Sequence, residues 1–134
     1  MKIKNLYFSP VKSLSFNNVD TLEIIKNIGI KNDRIFAFTN NLNFKETELI
    51  KNYPLKREIY NFLSLKKYPE LNQYNFLLED NFLILEFENN IILKTDIDNL
   101  HEVKILCSKL EDILPNINNI NLLKDKMNPF FDTM

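Results

Sequence analysis

Few side chains in this chain are equipped for chemistry, and the obvious ones have plainer uses. Cys107 is the only cysteine and His101 the only histidine. A cysteine offers a thiolate nucleophile or a metal ligand. Cys107, however, falls on the apolar stripe of a predicted helix, where a free Cys packs as a small hydrophobe. His101 opens that helix. One His with one Cys two turns away does not make a zinc site, and nothing nearby supports general acid–base work by His101. Two further pairs stand at the ends of predicted strands: Lys12-Ser13 after Pro10, and Asp33-Arg34 after Gly29. By residue type alone, Lys12 and Ser13 read as a solvated turn. Asp33 either orients Arg34 through a charge-assisted hydrogen bond or serves as an Asx-turn residue after Asn32; the structural role is the favoured one. Glu46, Glu48, Lys51, Lys56, Arg57 and Glu58 alternate in sign, which reads as a solvated helical face.

Gly29 is the only glycine in 134 residues, where average usage would give roughly nine. Asn does the turn work here, because it tolerates the left-handed conformation better than most residues. The one glycine is therefore expected where Asn fails, at a tight positive-φ turn or a close backbone approach.

The elements that must position these residues follow from patterning. Residues 3–9 alternate as a strand that Pro10 stops or pushes to an edge. A second strand is expected over 19–25, entered by an Asn17-Asn18 turn. A short buried strand follows over 34–39. Residues 45–61 read as a helical excursion, with Leu49, Ile50 and Tyr53 one turn apart and Pro54 as the stop. A short strand over 62–65 and a turn at 67–71 come next. Strands over 75–78 and 82–87 form a hairpin through Glu79-Asp80-Asn81, and 91–94 pairs after Asn89-Asn90. Short strands at this spacing point to an antiparallel barrel or sandwich. Leu100, Val103, Leu106, Cys107, Leu110, Ile113 and Leu114 then form one helical stripe ended by Pro115. The tail, 116–134, is Asn-rich, with a short apolar run over 120–123 and a Phe130-Phe131 pair that needs cover if exposed.

Composition bounds the rest. A hydrophobic fraction of 45% with 11 Phe and 5 Tyr supports the core of one domain. A net charge of −1 does not mark a nucleic-acid binder. One cysteine cannot form an intramolecular disulfide. No apolar run approaches a membrane span, and the N-terminus lacks the apolar core and cleavage site of a signal peptide. The expectation is a reduced, cytoplasmic protein that engages neither membrane nor nucleic acid.

Three motifs in order resemble the N-terminal β-barrel domain of the MOSC proteins, named for the C-terminal domain of molybdenum-cofactor sulfurase. That family opens with a strand and Tyr-Pro-Val-Lys-Ser-(Leu/Cys); here stands Ser9-Pro10-Val11-Lys12-Ser13-Leu14. It continues with Gly-Leu-x-x-Asp-Arg and an aromatic-rich strand; here stands Gly29-Ile30-Lys31-Asn32-Asp33-Arg34-Ile35-Phe36. It then has Phe-(Leu/Val)-Thr-x-Arg and a Pro-x-Leu turn, to which Phe62-Leu63-Ser64-Leu65-Lys66 and Pro69-Glu70-Leu71 are similar, with Ser for Thr and Lys for Arg. The resemblance covers roughly residues 3–100, and 45–61 look like an insertion.

The resemblance implies a mostly β fold: an antiparallel β-barrel over 1–99, a peripheral C-terminal α-helix over 100–115, a short helical insertion, and, over 116–134, the start of a truncated MOSC domain or a tail. It implies that Lys12, Ser13 and Arg34 help hold the phosphate end of the pyranopterin molybdenum cofactor. Lys supplies a mobile point charge, Ser a short donor and Arg a planar fork for phosphate oxygens. Ser64 and Lys66 are implied as more distant contributors. Full-length relatives carry sulfur or reduce N-hydroxylated compounds at molybdenum, and the family's molybdenum-ligating cysteine lies beyond this sequence. The chain is thus expected to be the N-terminal half of a two-part protein. A MOSC domain in cis or in trans would complete the cofactor site; this half alone is expected to bind the cofactor weakly at best and lacks the metal-ligating cysteine of its enzymatic relatives. The other reading is a non-catalytic interaction module that docks on a separately encoded partner through Phe130 and Phe131.

Overall fold

A computed structural model describes residues 6–12, 14, 17–19, 24–26, 29–114, 117 and 119–130. These form nine short strands and two α-helices, a mixed α/β arrangement with substantial strand content. The strands are β1 (Leu6–Phe8), β2 (Asn17–Val19), β3 (Ile24–Ile25), β4 (Gly29–Ile30), β5 (Phe36–Phe38), β6 (Tyr74–Glu79), β7 (Phe82–Phe87), β8 (Asn90–Asp96) and β9 (Leu122–Lys124). The helices are α1 (Phe44–Asn52) and α2 (Leu100–Ile113).

All named strand pairs are antiparallel: β1 with β2, β3 with β4, β5 with β9, and a meander β6-β7-β8. Among the described residues these remain four separate ladders and do not close into a barrel. The meander has the turns its sequence demands. Asp80 (φ 53°) takes the left-handed conformation between β6 and β7. Glu88 and Asn89 (φ 49° and 67°) do so between β7 and β8, where two positive φ values match the right-handed twist of a tight hairpin.

Several local expectations change. Asn17 and Asn18 are not a turn; they pair with Phe8 and Tyr7 in β2. Gly29 is not the turn residue of its motif: it pairs with Ile25 in β4, and the left-handed residues that follow are Asn32 (φ 65°) and Arg34 (φ 52°). The expected strand over 62–65 contracts to a single bridge between Thr39 and Phe62. The expected helical excursion is α1, ended at Tyr53-Pro54, followed by 3-10 turns over Pro54–Lys56 and Ile59–Asn61.

Asn caps both helices. Asn43 accepts from Glu46 N–H (2.8 Å) while the Glu46 carboxylate reaches back to Asn43 N–H (3.3 Å); this reciprocal pair satisfies donors that the first turn leaves open. Asn99 accepts from His101 and Glu102 N–H. α2 buries Leu106, Cys107, Leu110 and its cap residue Leu114. Leu100, expected on that stripe, is 69% exposed; at the first helical position it borders the cleft beside α1 and β9 instead of packing into the core. Pro115 lies outside the described residues.

The main core joins Val11, Leu14, Phe36, Phe38, Phe76, Leu83 and Leu85 to the buried face of α2. A second cluster contains Ala37, Leu42, Ile50, Phe62, Leu123 and Phe130. Phe130 is 0% exposed. β9 binds β5 with Ala37 opposite Leu123, so residues 120–130 belong to the packed body and Phe130 cannot present itself to a partner. Phe131 lies outside the described residues.

Candidate functional site

The two motif segments lie side by side on β5. Arg34 N–H donates to the Ser9 carbonyl (2.5 Å), Phe36 N–H to the Pro10 carbonyl (3.0 Å) and Lys12 N–H to the Phe36 carbonyl (2.8 Å). Val11 bridges Phe36 in parallel. Pro10 has no N–H and can only accept at this position, so the interruption in the first strand coincides with a change of partner from β2 to β5. The Ser9 hydroxyl lies within reach of the carbonyls of Val11 (2.6 Å) and Leu14. Its single proton serves one of them at a time. Ser13 itself lies outside the described residues.

Asp33 orients Arg34 and, in place of a local Asx-turn bond, reaches across to the first motif. Its buried carboxylate accepts Ser9 N–H at Oδ1 (2.9 Å) and holds Arg34 Nη1 at Oδ2 (2.6 Å). The Arg34 side chain is 23% exposed, so its guanidinium, oriented by Asp33, borders solvent. For a non-glycine residue, the left-handed conformation of Arg34 costs roughly 1–2 kcal/mol. Such strain gathers where a side chain must be aimed.

Lys12 is not in a solvated turn. It is 1% exposed, because pairing with Phe36 carries it inward instead of off the strand end. Its Nζ stands 5.9 Å from the Phe62 ring centre, the outer range of a cation–π contact. Val11 faces Phe36, while Arg34 lies in the left-handed turn that precedes β5. The backbones of the two motifs are therefore brought together, with Lys12 Nζ near the Phe62 ring and Arg34 on Asp33. Ser64 is half-buried and its hydroxyl accepts Lys67 N–H (3.3 Å), capping the turn that follows. Lys66 is exposed on that turn. The segment bearing both is tied to β5 by Leu63 N–H to the Phe38 carbonyl (2.9 Å).

One cation escaped the sequence reading. Arg57, assigned above to a solvated face, is 4% exposed. Its Nε and Nη2 donate to the carbonyls of Ile50 (2.7 Å) and Lys51 (3.1 Å) at the end of α1, Nη1 to the Asn128 carbonyl (2.9 Å), and Nη2 also to Asp125 Oδ2 (2.8 Å). Alternating charge could not single it out. Its position just past a helix end could have, since cations gather at open C-terminal carbonyls.

Other titratable groups are set by burial. Burial pushes the Cys107 thiol from 9.0 up to about 12, which suits a packed residue and not a nucleophile. Burial also raises the Tyr68 phenol, whose hydroxyl donates to Asn40 Oδ1 (3.0 Å). Among the described residues there is no group of three or more His, Cys, Asp or Glu that could hold a metal ion, and no helix is long and apolar enough to cross a membrane. Clefts of about 410 Å³ beside Tyr74 and Glu86, and about 500 Å³ between α1 and β9, are lined by none of Lys12, Arg34, Ser64 and Lys66. No protein-family model, curated protein or solved structure matches this chain.

Proposed function

We propose that this chain is the N-terminal half of a MOSC-type molybdenum-cofactor-binding or sulfur-transfer protein, and that it contributes anion-binding residues to a pterin site completed by a MOSC domain. The observation that carries the reading is the pairing of the two resembling motifs. Ser9 to Lys12 runs along Arg34 to Phe36, with Asp33 anchoring both Ser9 and Arg34. The joined segments stand 24 residues apart in sequence. On this reading the ladders are arcs of one antiparallel barrel and the chain works in the cytoplasm.

The donors present fit the phosphate end of such a group in chemical type: Arg34 borders solvent with its fork oriented, and Lys66 is exposed. Lys12 would serve through its field from inside, or after a change of rotamer. The resemblance puts the metal-ligating cysteine in the second domain. When bound, the cofactor supplies the redox or sulfur chemistry; this chain's own residues bind and orient its phosphate.

The test is calorimetric titration of phosphate-bearing pterin into the chain, alone and mixed with a MOSC domain. The chain alone should bind weakly, because half of the contacts that offset the cost of association are missing. The mixture should bind more tightly, and Arg34→Lys should weaken it, because an ammonium cannot reproduce the bidentate fork. If wild type, Arg34→Lys and Lys12→Ala titrate alike, the cradle assignment is wrong.

A second reading, an interaction module, now rests on a different surface from the one the sequence suggested. Phe44, Tyr53, Leu55 and Tyr60, on and just after α1, are all strongly exposed, whereas Phe130 is buried.

A further inference from the structure

Arg34 keeps its left-handed conformation between two backbone hydrogen bonds from different parts of the chain. Its N–H donates to the Ser9 carbonyl, and its carbonyl accepts Phe130 N–H (2.8 Å). The next carbonyl, Ile35, accepts Asp125 N–H (2.8 Å). The C-terminal segment therefore backs directly onto the turn that aims Arg34.

What holds that segment down is Arg57. The Asp125 carboxylate gives Oδ2 to Arg57 and uses Oδ1 to accept Met127 N–H (3.1 Å) and Asn128 N–H (2.9 Å), folding 125–128 into a compact turn. The Asn128 carbonyl returns to Arg57 Nη1. The Phe130 ring lies 4.2 Å from the guanidinium carbon and 5.4 Å, edge-on, from the Phe62 ring. The guanidinium is itself fixed by the last carbonyls of α1. A buried guanidinium is tolerated only while its partners are in place, and losing one leaves an uncompensated charge. The Arg57 cluster thus adds a side-chain anchor to the backbone bonds at Ile35 and Arg34.

We propose that Asp125–Phe130 is a strap latched by Arg57, and that its docking positions Arg34 for anion binding. The positioning stands on the geometry above; its use for anions rests on the proposed function. Arg57 is a positioning residue: it acts on Arg34 through Asp125 and Phe130 and does not itself face a ligand.

The experiment is nuclear magnetic resonance on the 15N-labelled chain, comparing wild type, Arg57→Lys and Asp125→Asn. Three readouts are taken: amide exchange at Asp125 and Phe130, the Arg34 HN–Hα coupling, which reports φ, and shifts on adding inorganic pyrophosphate. Both variants should speed exchange at Asp125 and Phe130 by about tenfold or more while Ile84 and Leu85 on the central strand stay protected, as local opening requires. The Arg34 coupling should move toward a conformational average, and pyrophosphate shifts at Arg34 should shrink. Asp125→Asn keeps the turn acceptor and the side-chain shape, so it reports the latch even if Arg57→Lys fails to fold. Exchange that rises uniformly across the chain, or an Arg34 coupling unchanged after the strap opens, would overturn the inference. If strap and coupling respond as expected while wild type shows no pyrophosphate shift, the strap stands and the anion reading falls.

Discussion

At the scale of single residues, the fold decides chemistry by burial more than by residue type. Cys107 is the clearest case. Its thiol is buried, with a pKa pushed up to about 12, so the folded protein should not react with a thiol reagent such as dithionitrobenzoate at pH 8. One thiol per chain should titrate in denaturant; rapid native labelling would show that α2 is not packed as described. The sign of the pH dependence follows from the same shift. The folded state holds the Cys107 proton more tightly than the unfolded chain does, as it does that of Tyr68. Their contribution is complete below the ordinary values, near 9.0 and 10.0, and is lost as pH rises through the raised ones. The thermal midpoint should therefore fall from about pH 9 upward, and Cys107→Ala should flatten part of that fall. A midpoint level to pH 11 would contradict it. Cys107 was legible in the sequence, because helical spacing alone put it on the buried stripe. Lys12 and Arg57 were not. A Lys after Pro and an Arg in an alternating charge run look solvated, and their burial depends on partners 24 and 68 positions away, Phe36 and Asp125.

At the scale of elements, period and turn chemistry carried the reading where contacts are local. The β6-β7 hairpin, its turn at Asp80, the following turn at Asn89 and both helices fall where alternation, Asn and Pro place them. The reading failed where pairing is long-range and strands are short. Nothing in Leu122–Lys124 announces that it pairs with Phe36–Phe38, since three residues carry too little alternation to fix a partner. The α2 stripe is a direct test of packing. Leu106 is fully buried among main-core residues, so Leu106→Ala should cost about 2–5 kcal/mol, read as a lower denaturant midpoint with little change in slope. Leu100→Ala, at the exposed first position, should leave the midpoint nearly unmoved; equal effects at the two positions would mean that α2 is rotated from this arrangement. Asn43→Ala removes a cap whose two hydrogen bonds are both present and should cost about 1 kcal/mol.

At the scale of the whole molecule, strand β5 is the organising element. Segment 9–12 lies along it, β9 pairs with it, and the Phe62 segment bridges its end. The first motif, the second motif and the last strand thus meet on three buried residues, Phe36, Ala37 and Phe38. That convergence was only partly legible: the order of the motifs suggested that the first two belong together, while the return of the C-terminal strand has no local signature. The same convergence frames the Arg34 turn, held by Ser9 and Asp33 on one side and by the C-terminal segment on the other, which we propose as the anion-binding point. The most direct measurement is titration of the 15N-labelled chain with inorganic pyrophosphate, followed residue by residue at two salt concentrations. Saturable shifts centred on residues 33–35 are expected, weaker at high salt because charge carries the contact, and lost in Arg34→Gln with the rest of the spectrum intact. Shifts scattered over exposed lysines such as Lys45, Lys66 and Lys109, with none at Arg34, would contradict it.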